Sequence, residues 1–124
     1  MQQDYLELEE VEAYSKLQGP DFKKFIVKEE VFLGREADEI IQDKEQIVNL
    51  GSSQKVSRKH ARIFFDRLNG NWYFQNLSKN KTYVNNNVIL KESAPLKLNP
   101  LDAIRINDYK FYYFPSIPSE EAYN

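Results

Sequence analysis

The stretch "IRINDYKFYYF", residues 104–114, decides the fold class. Ile104 and Ile106 flank Arg105, the period-two alternation of a strand with one buried and one wet face. Asn107-Asp108 follows, a pair that tolerates the positive φ required by a two-residue turn. The aromatic run Tyr109 to Phe114 then reads as a second strand. The segment predicts a β-hairpin.

The same signature recurs along the chain. "FKKFIV" (22–27), "VFLG" (31–34), "IVNL" (47–50), "ARIFF" (61–65) and "WYFQN" (72–76) are short and rich in β-branched and aromatic residues. "TYV" (82–84), "VIL" (88–90), "LKL" (96–98) and "AIRI" (103–106) continue the series. Turn signals fall between them at Gly19-Pro20, Asn69-Gly70, Asn86-Asn87 and Asn99-Pro100. No segment sustains a helical period. Strands this short at this spacing predict an all-β domain, a β-sandwich of two twisted, mainly antiparallel sheets with binding loops at one end. One interval departs from the spacing: "READEIIQDKEQ" (35–46) carries five acids and two cations and reads as a long loop with room for one helical turn.

Composition narrows the function. The chain has 124 residues, which fits one domain with a modest core. Seventeen Lys and Arg against nineteen Asp and Glu leave a formal net charge of −2. Any positive surface is therefore local, which suits a compact anion better than a long polyanion. With no cysteine and a single histidine, disulfides, thiolate metal sites and His-rich metal sites are all excluded. No cofactor is implied. No apolar run reaches the ~18 residues of a membrane-spanning helix, and no signal peptide opens the chain, so a soluble intracellular domain is expected. Residues 1–12 hold Asp4, Glu7, Glu9, Glu10 and Glu12 without a cation and read as an acidic tail. The folded body is expected over 13–116, with a linker over 117–124.

Three loop segments share one chemistry. "LGR" sets Arg35 just past a strand end, "KVSRKHARIFF" (55–65) sets Ser57 and Arg58 before another strand, and "NLSKNKTYVNN" (76–86) sets Lys79 and Asn80 in a turn. Two guanidiniums, a hydroxyl, an ammonium and a carboxamide suit a phosphate, with its strong acceptor oxygens and nearly two negative charges.

In this order and spacing, Gly34-Arg35, Ser57-Arg58-Lys59-His60 and Asn80-Lys81-Thr82-Tyr83-Val84-Asn85 resemble the forkhead-associated (FHA) domain family. The resemblance spans about residues 13–116. "AYSKL" (13–17) and "VNLGSSQKVSRKHARI" (48–63) further resemble the subgroup attached to forkhead-type transcription factors, although no forkhead DNA-binding helix pattern is present. The resemblance implies an FHA/SMAD-like sandwich that binds phosphothreonine peptides, acts as a monomeric domain and works in the nucleus. By the same resemblance, Arg35, Ser57, Arg58 and Lys79 contact the phosphate and Asn80 bonds the peptide main chain. Gly34, His60 and Asn85 support the site, the last two by tying the binding loops together. The threonine methyl would fill a small apolar notch, and the residue three places after the phosphothreonine would be read as well. Two family glycines are replaced, by Lys81 and Asn86; a positive φ at Lys81 would cost about 1–2 kcal/mol.

Each signal has a plainer reading. Arg35 alone suits a surface ion pair with the acids at 36, 38 and 39. Ser57 near His60 could be a nucleophile and its base, but no orienting third group accompanies them, and enzyme activity is not expected. "KVSRKHAR" alone could serve nuclear import or nucleic-acid contact. The competing function is thus a nucleic-acid or scaffold-interaction domain on the same fold without phosphate dependence. Three motifs in order on one fold favour a phosphothreonine-containing protein as partner, with neither nucleic acid nor membrane expected.

Overall fold

The computed structural model describes residues 13–36, 41 and 44–116. The expected tail and linker lie outside the described residues, as does part of the long 35–46 loop. Among the described residues, eleven strands form two sheets. The first sheet runs β2-β1-β11-β10-β7-β8 and the second β4-β3-β5-β6-β9. Their ranges are β1 Ser15–Gly19, β2 Phe22–Ile26, β3 Glu30–Gly34, β4 Gln46–Asn49, β5 Ala61–Asp66 and β6 Asn71–Asn76. The remainder are β7 Thr82–Val84, β8 Asn87–Ile89, β9 Leu96–Lys97, β10 Ala103–Ile106 and β11 Tyr109–Pro115.

Ten strands fall where the hydrophobic and aromatic runs predict them. The hairpin of 104–114 forms with Ile106 opposite Tyr109, and Asn107 takes φ 53°. Between β7 and β8 the two-residue turn is Asn85-Asn86, with φ 52° and 67°. Two consecutive positive φ values match the twist of the flanking strands, and asparagine accepts them at low cost. Lys81 is not among the positive-φ residues, so the loss of glycine there carries no left-handed strain.

β1 has no counterpart in the sequence reading. "SKLQG" holds one large apolar residue, Leu17, yet Ser15, Lys16 and Leu17 are all buried, because β1 lies between β2 and β11. The parallel pairing of β3 with β4, the one such pair among the described residues, was equally invisible. It follows from the long connection that joins these strands.

The core lies between the sheets. Leu17, Ile26, Ile104, Ile106 and Phe111 face it from the first sheet, and Val31, Leu33, Ala61, Ile63 and Phe74 from the second. Alternation along β5 puts Ala61 and Ile63 inward, with Arg62 and Phe64 outward. Each such buried Ile or Phe contributes about 1.5–3 kcal/mol. Two buried carboxamides close the open sides of the sandwich. Gln46 of β4 accepts from Val27 N–H at 2.9 Å and donates to the Phe25 carbonyl at 2.8 Å. Asn76 of β6 donates to the Ile89 carbonyl at the end of β8 at 2.9 Å. Each replaces ladder bonds where the sheets diverge, so buried backbone groups stay paired.

Candidate functional site

β3 ends, β5 begins, β6 ends and β7 begins at one end of the sandwich, and their connections hold Arg35, Ser57 to His60 and Ser78 to Asn80. The backbone joins these connections before any side chain does. Arg35 N–H donates to the Ser57 carbonyl at 3.0 Å, His60 N–H to Leu33 at 2.8 Å and Leu77 N–H to His60 at 2.9 Å. Gly34 makes the closest approach possible. A Cβ on it would stand 1.5 Å from the Arg58 carbonyl oxygen, so no other residue fits unless the backbone moves.

The side chains then lock the loops. Ser57 Oγ and Ser78 Oγ are 2.5 Å apart, in a bond that either can donate. Ser78 Oγ also accepts from Asn80 N–H at 3.0 Å, and Asn80 Nδ2 donates to the Lys55 carbonyl at 2.9 Å. Asn76 organises the turn from below: its Oδ1 accepts from Ser78 N–H at 2.9 Å and its Nδ2 donates to the Asn80 carbonyl at 3.0 Å. Arg35 Nη1 bonds Gln54 Oε1 at 2.5 Å, while its Nε is buried without a partner. The side chains of Arg58 and Lys79 are exposed, one on each of the loops that Ser57 and Ser78 tie together. Lys59 is held elsewhere, its Nζ 4.3 Å from the centre of the Phe32 ring.

His60 is buried, and its Nδ1 accepts from the Ser57 main-chain N–H at 3.0 Å. Burial holds its pKa below the ordinary value of 6.5, and the accepting Nδ1 requires the neutral ring. The imidazole therefore grips the loop backbone and does not face the Ser57 hydroxyl, which is bonded to Ser78. In this arrangement the Ser57 hydroxyl is bonded to Ser78 and the His60 ring to the Ser57 main chain.

Asn85 is a correction. It does not tie the loops of this end together. Its Nδ2 donates to Asp102 at 2.8 Å and its Oδ1 accepts from Ala103 N–H at 2.9 Å, fastening the β7–β8 turn to the start of β10. Because β10 runs antiparallel to β7, that point is the far end of β7 from Asn80. Sequence reasoning also missed Ser78 and Asn76. Both are polar residues fully buried beside a turn, and their only signal was proximity to Asn80.

Two packed sheets thus present a half-buried guanidinium, paired hydroxyls and a carboxamide from three strand connections at one end of a β-sandwich. The chain belongs to the FHA family: the model of the FHA domain matches residues 31–107. "Transcriptional activator FHA1" of Nicotiana tabacum is 33% identical over 111 residues, covering 89% of this chain and 53% of that protein. "Fork head protein homolog 1" of Saccharomyces cerevisiae is 36% identical over 84 residues, 61% of this chain and 17% of that protein. The chain thus spans only part of the length of these relatives. Among solved structures, the N-terminal FHA domain of S. cerevisiae Rad53p in complex with a phosphothreonine peptide superposes with a TM-score of 0.66. It is 17% identical, over 84% of this chain and 94% of that one, a likeness of fold.

Proposed function

We propose that this domain binds a phosphothreonine-containing segment of a partner protein, without catalysing its turnover, and so recruits kinase-modified partners to the protein that carries it. The observation that carries this reading is Arg35, whose Nε is buried yet unpartnered, beside a loop that carries the exposed Arg58. A buried, unpaired donor on a charged group is costly, and an incoming oxyanion relieves that cost.

The hydroxyl pair supports the same reading. Each hydroxyl has one proton and two acceptor lone pairs. If Ser78 donates to Ser57 while accepting from Asn80, the Ser57 proton is left to point at a phosphate oxygen. Arg58 and Lys79 add positive charge from either side, and the Asn80 carboxamide, steadied by Lys55, bonds the peptide main chain. Gly34 and His60 hold the loops in register. The folded unit runs over 13–116 and acts as a monomeric domain. Relatives named as a transcriptional activator and a fork head protein support a nuclear setting.

Three charge-assisted contacts at about 1.5–3 kcal/mol each would separate phosphorylated from unmodified peptide by roughly 4 kcal/mol, about a thousandfold. An oriented peptide library presented in phosphothreonine, phosphoserine and unmodified forms tests this. Retention of the phosphothreonine pool alone is expected. Equal retention of the unmodified pool would reject phosphate recognition.

A further inference from the structure

None of the six strands in the sheet that carries β7, β10 and β11 contains an Asp or Glu. On its outer face Arg105 and Lys110 are directly opposed cross-strand partners, and both are exposed. Like charges so placed destabilise a sheet. Neither cation forms an ion pair with a described carboxylate. Arg105 instead lays its guanidinium on Tyr83, 4.2 Å from the ring centre, and Lys110 Nζ lies 5.8 Å from the Tyr112 ring. The nearest acids in sequence are Asp108 in the hairpin turn and Asp102, which is bonded to Asn85 and to Asn99 N–H. A guanidinium stacked in this way keeps its edge N–H groups for another acceptor.

A notch of about 90 Å³ opens here, lined by Tyr83, Asn86, Ala103, Ile104, Arg105 and Lys110. Its size suits one carboxylate or phosphate group. It lies a short way along the chain from the loop cluster: Tyr83 follows Asn80 by three residues, roughly 10 Å of extended chain, with the exposed Lys81 between them.

We infer that this notch is a second anionic subsite, occupied by an acidic segment of the same polypeptide whose phosphothreonine fills the socket. The inference rests on the phosphothreonine reading of that socket. The ligand leaves Arg35 and Ser57, passes Lys81 and sets a carboxylate or second phosphate against Arg105 and Lys110. The span corresponds to about 3–5 residues from the phosphothreonine. The protein would thereby select phosphothreonines embedded in acidic sequence.

Fluorescence anisotropy on the full chain tests this with two sets of labelled phosphothreonine peptides. One set has neutral flanks, the other a run of glutamates placed on either side. Wild type is compared with Arg105→Gln/Lys110→Gln, whose fold is checked by circular dichroism. Wild type is expected to bind one glutamate-flanked peptide roughly three- to tenfold more tightly than the neutral one. That advantage should vanish in the double variant and at high salt, with the neutral peptide binding both proteins equally. Equal affinities in wild type, or an advantage that survives the double substitution, would overturn the subsite while leaving the socket intact. Failure of the neutral phosphopeptide to outbind its unmodified form would instead sink the socket, and the subsite with it. Tight binding of an oligothymidylate that depends on Arg105 and Lys110 would give the face to nucleic acid and overturn the inference equally.

Discussion

Ser57 and Ser78 share a 2.5 Å hydrogen bond between their hydroxyls across 21 residues of sequence, and this bond joins the two loops that flank Arg35. Ser78 is buried and also caps Asn80 N–H, so one side chain sets both the hydroxyl and the carboxamide of the site. Ser78→Ala should cost about 1–3 kcal/mol of stability, because Asn80 N–H loses its partner. It should also weaken phosphothreonine-peptide binding several-fold without abolishing it. Urea unfolding and calorimetry on the same variant read the two effects separately. An unchanged affinity would mean that Ser57 is oriented by something else.

Gly34 and Gly70 form a matched test of close packing. At Gly34 an added methyl meets the Arg58 carbonyl oxygen at 1.5 Å, whereas at Gly70 it meets nothing within 4 Å, the only obstacle there being φ 74°. Gly70→Ala should therefore cost only the left-handed strain of about 1–2 kcal/mol and leave binding intact. Gly34→Ala should cost more and should displace the Ser57–His60 loop, with peptide binding lost. Denaturant midpoints and peptide titrations of both variants check the contrast.

Asn85 separates fold support from ligand contact. It fastens Asp102 and Ala103 at the far end of β7. Asn85→Ala should destabilise the domain by about 1–3 kcal/mol, since Asp102 is left with an unmet acceptor. Under conditions where the variant stays folded, its phosphopeptide affinity should match wild type. A large affinity loss in the folded variant would place Asn85 in the recognition machinery after all.

His60 makes stability depend on pH in a defined direction. Burial lowers its folded pKa below 6.5, so on acidification the unfolded chain takes up the proton first. Its contribution is therefore complete above pH 6.5 and is lost as pH falls from there through the folded pKa. Glu29, lowered below 4.5 by its Arg67 partner, acts only in a more acidic window. Urea unfolding of the ligand-free protein between pH 7.5 and 5.5 should show falling stability in wild type and a flatter profile in His60→Asn. Ligand-free conditions matter because the phosphate itself gains a proton near pH 6. Parallel profiles for the two proteins would contradict a neutral, buried His60.

The sequence revealed strands wherever apolar periodicity and turn chemistry agreed. "IRINDYKFYYF" carried both signals, and its hairpin formed in register. β1 was hidden because its burial comes from its position between two neighbours and not from its composition; Lys16 and Ser15 announce nothing apolar. The three loop motifs could be read because each departs from the strand pattern in a distinctive residue. What could not be read is the layer beneath them. Ser78 and Asn76 act through bonds to main-chain groups that meet only once the loops converge, and no spacing rule reports such contacts. Asn85 shows the opposite error, a motif residue assigned to the wrong loop junction because sequence distance from Asn80 does not say which end of a strand a turn occupies.

The central claim is that the Arg35 guanidinium, partly buried and with one donor unpaired, is completed by a phosphate. Calorimetric titration of a library-selected phosphothreonine peptide into wild type and into Arg35→Ala tests it most directly. A measurable affinity in wild type and none in a folded Arg35→Ala is the predicted result. An equal affinity in the two proteins would contradict the account.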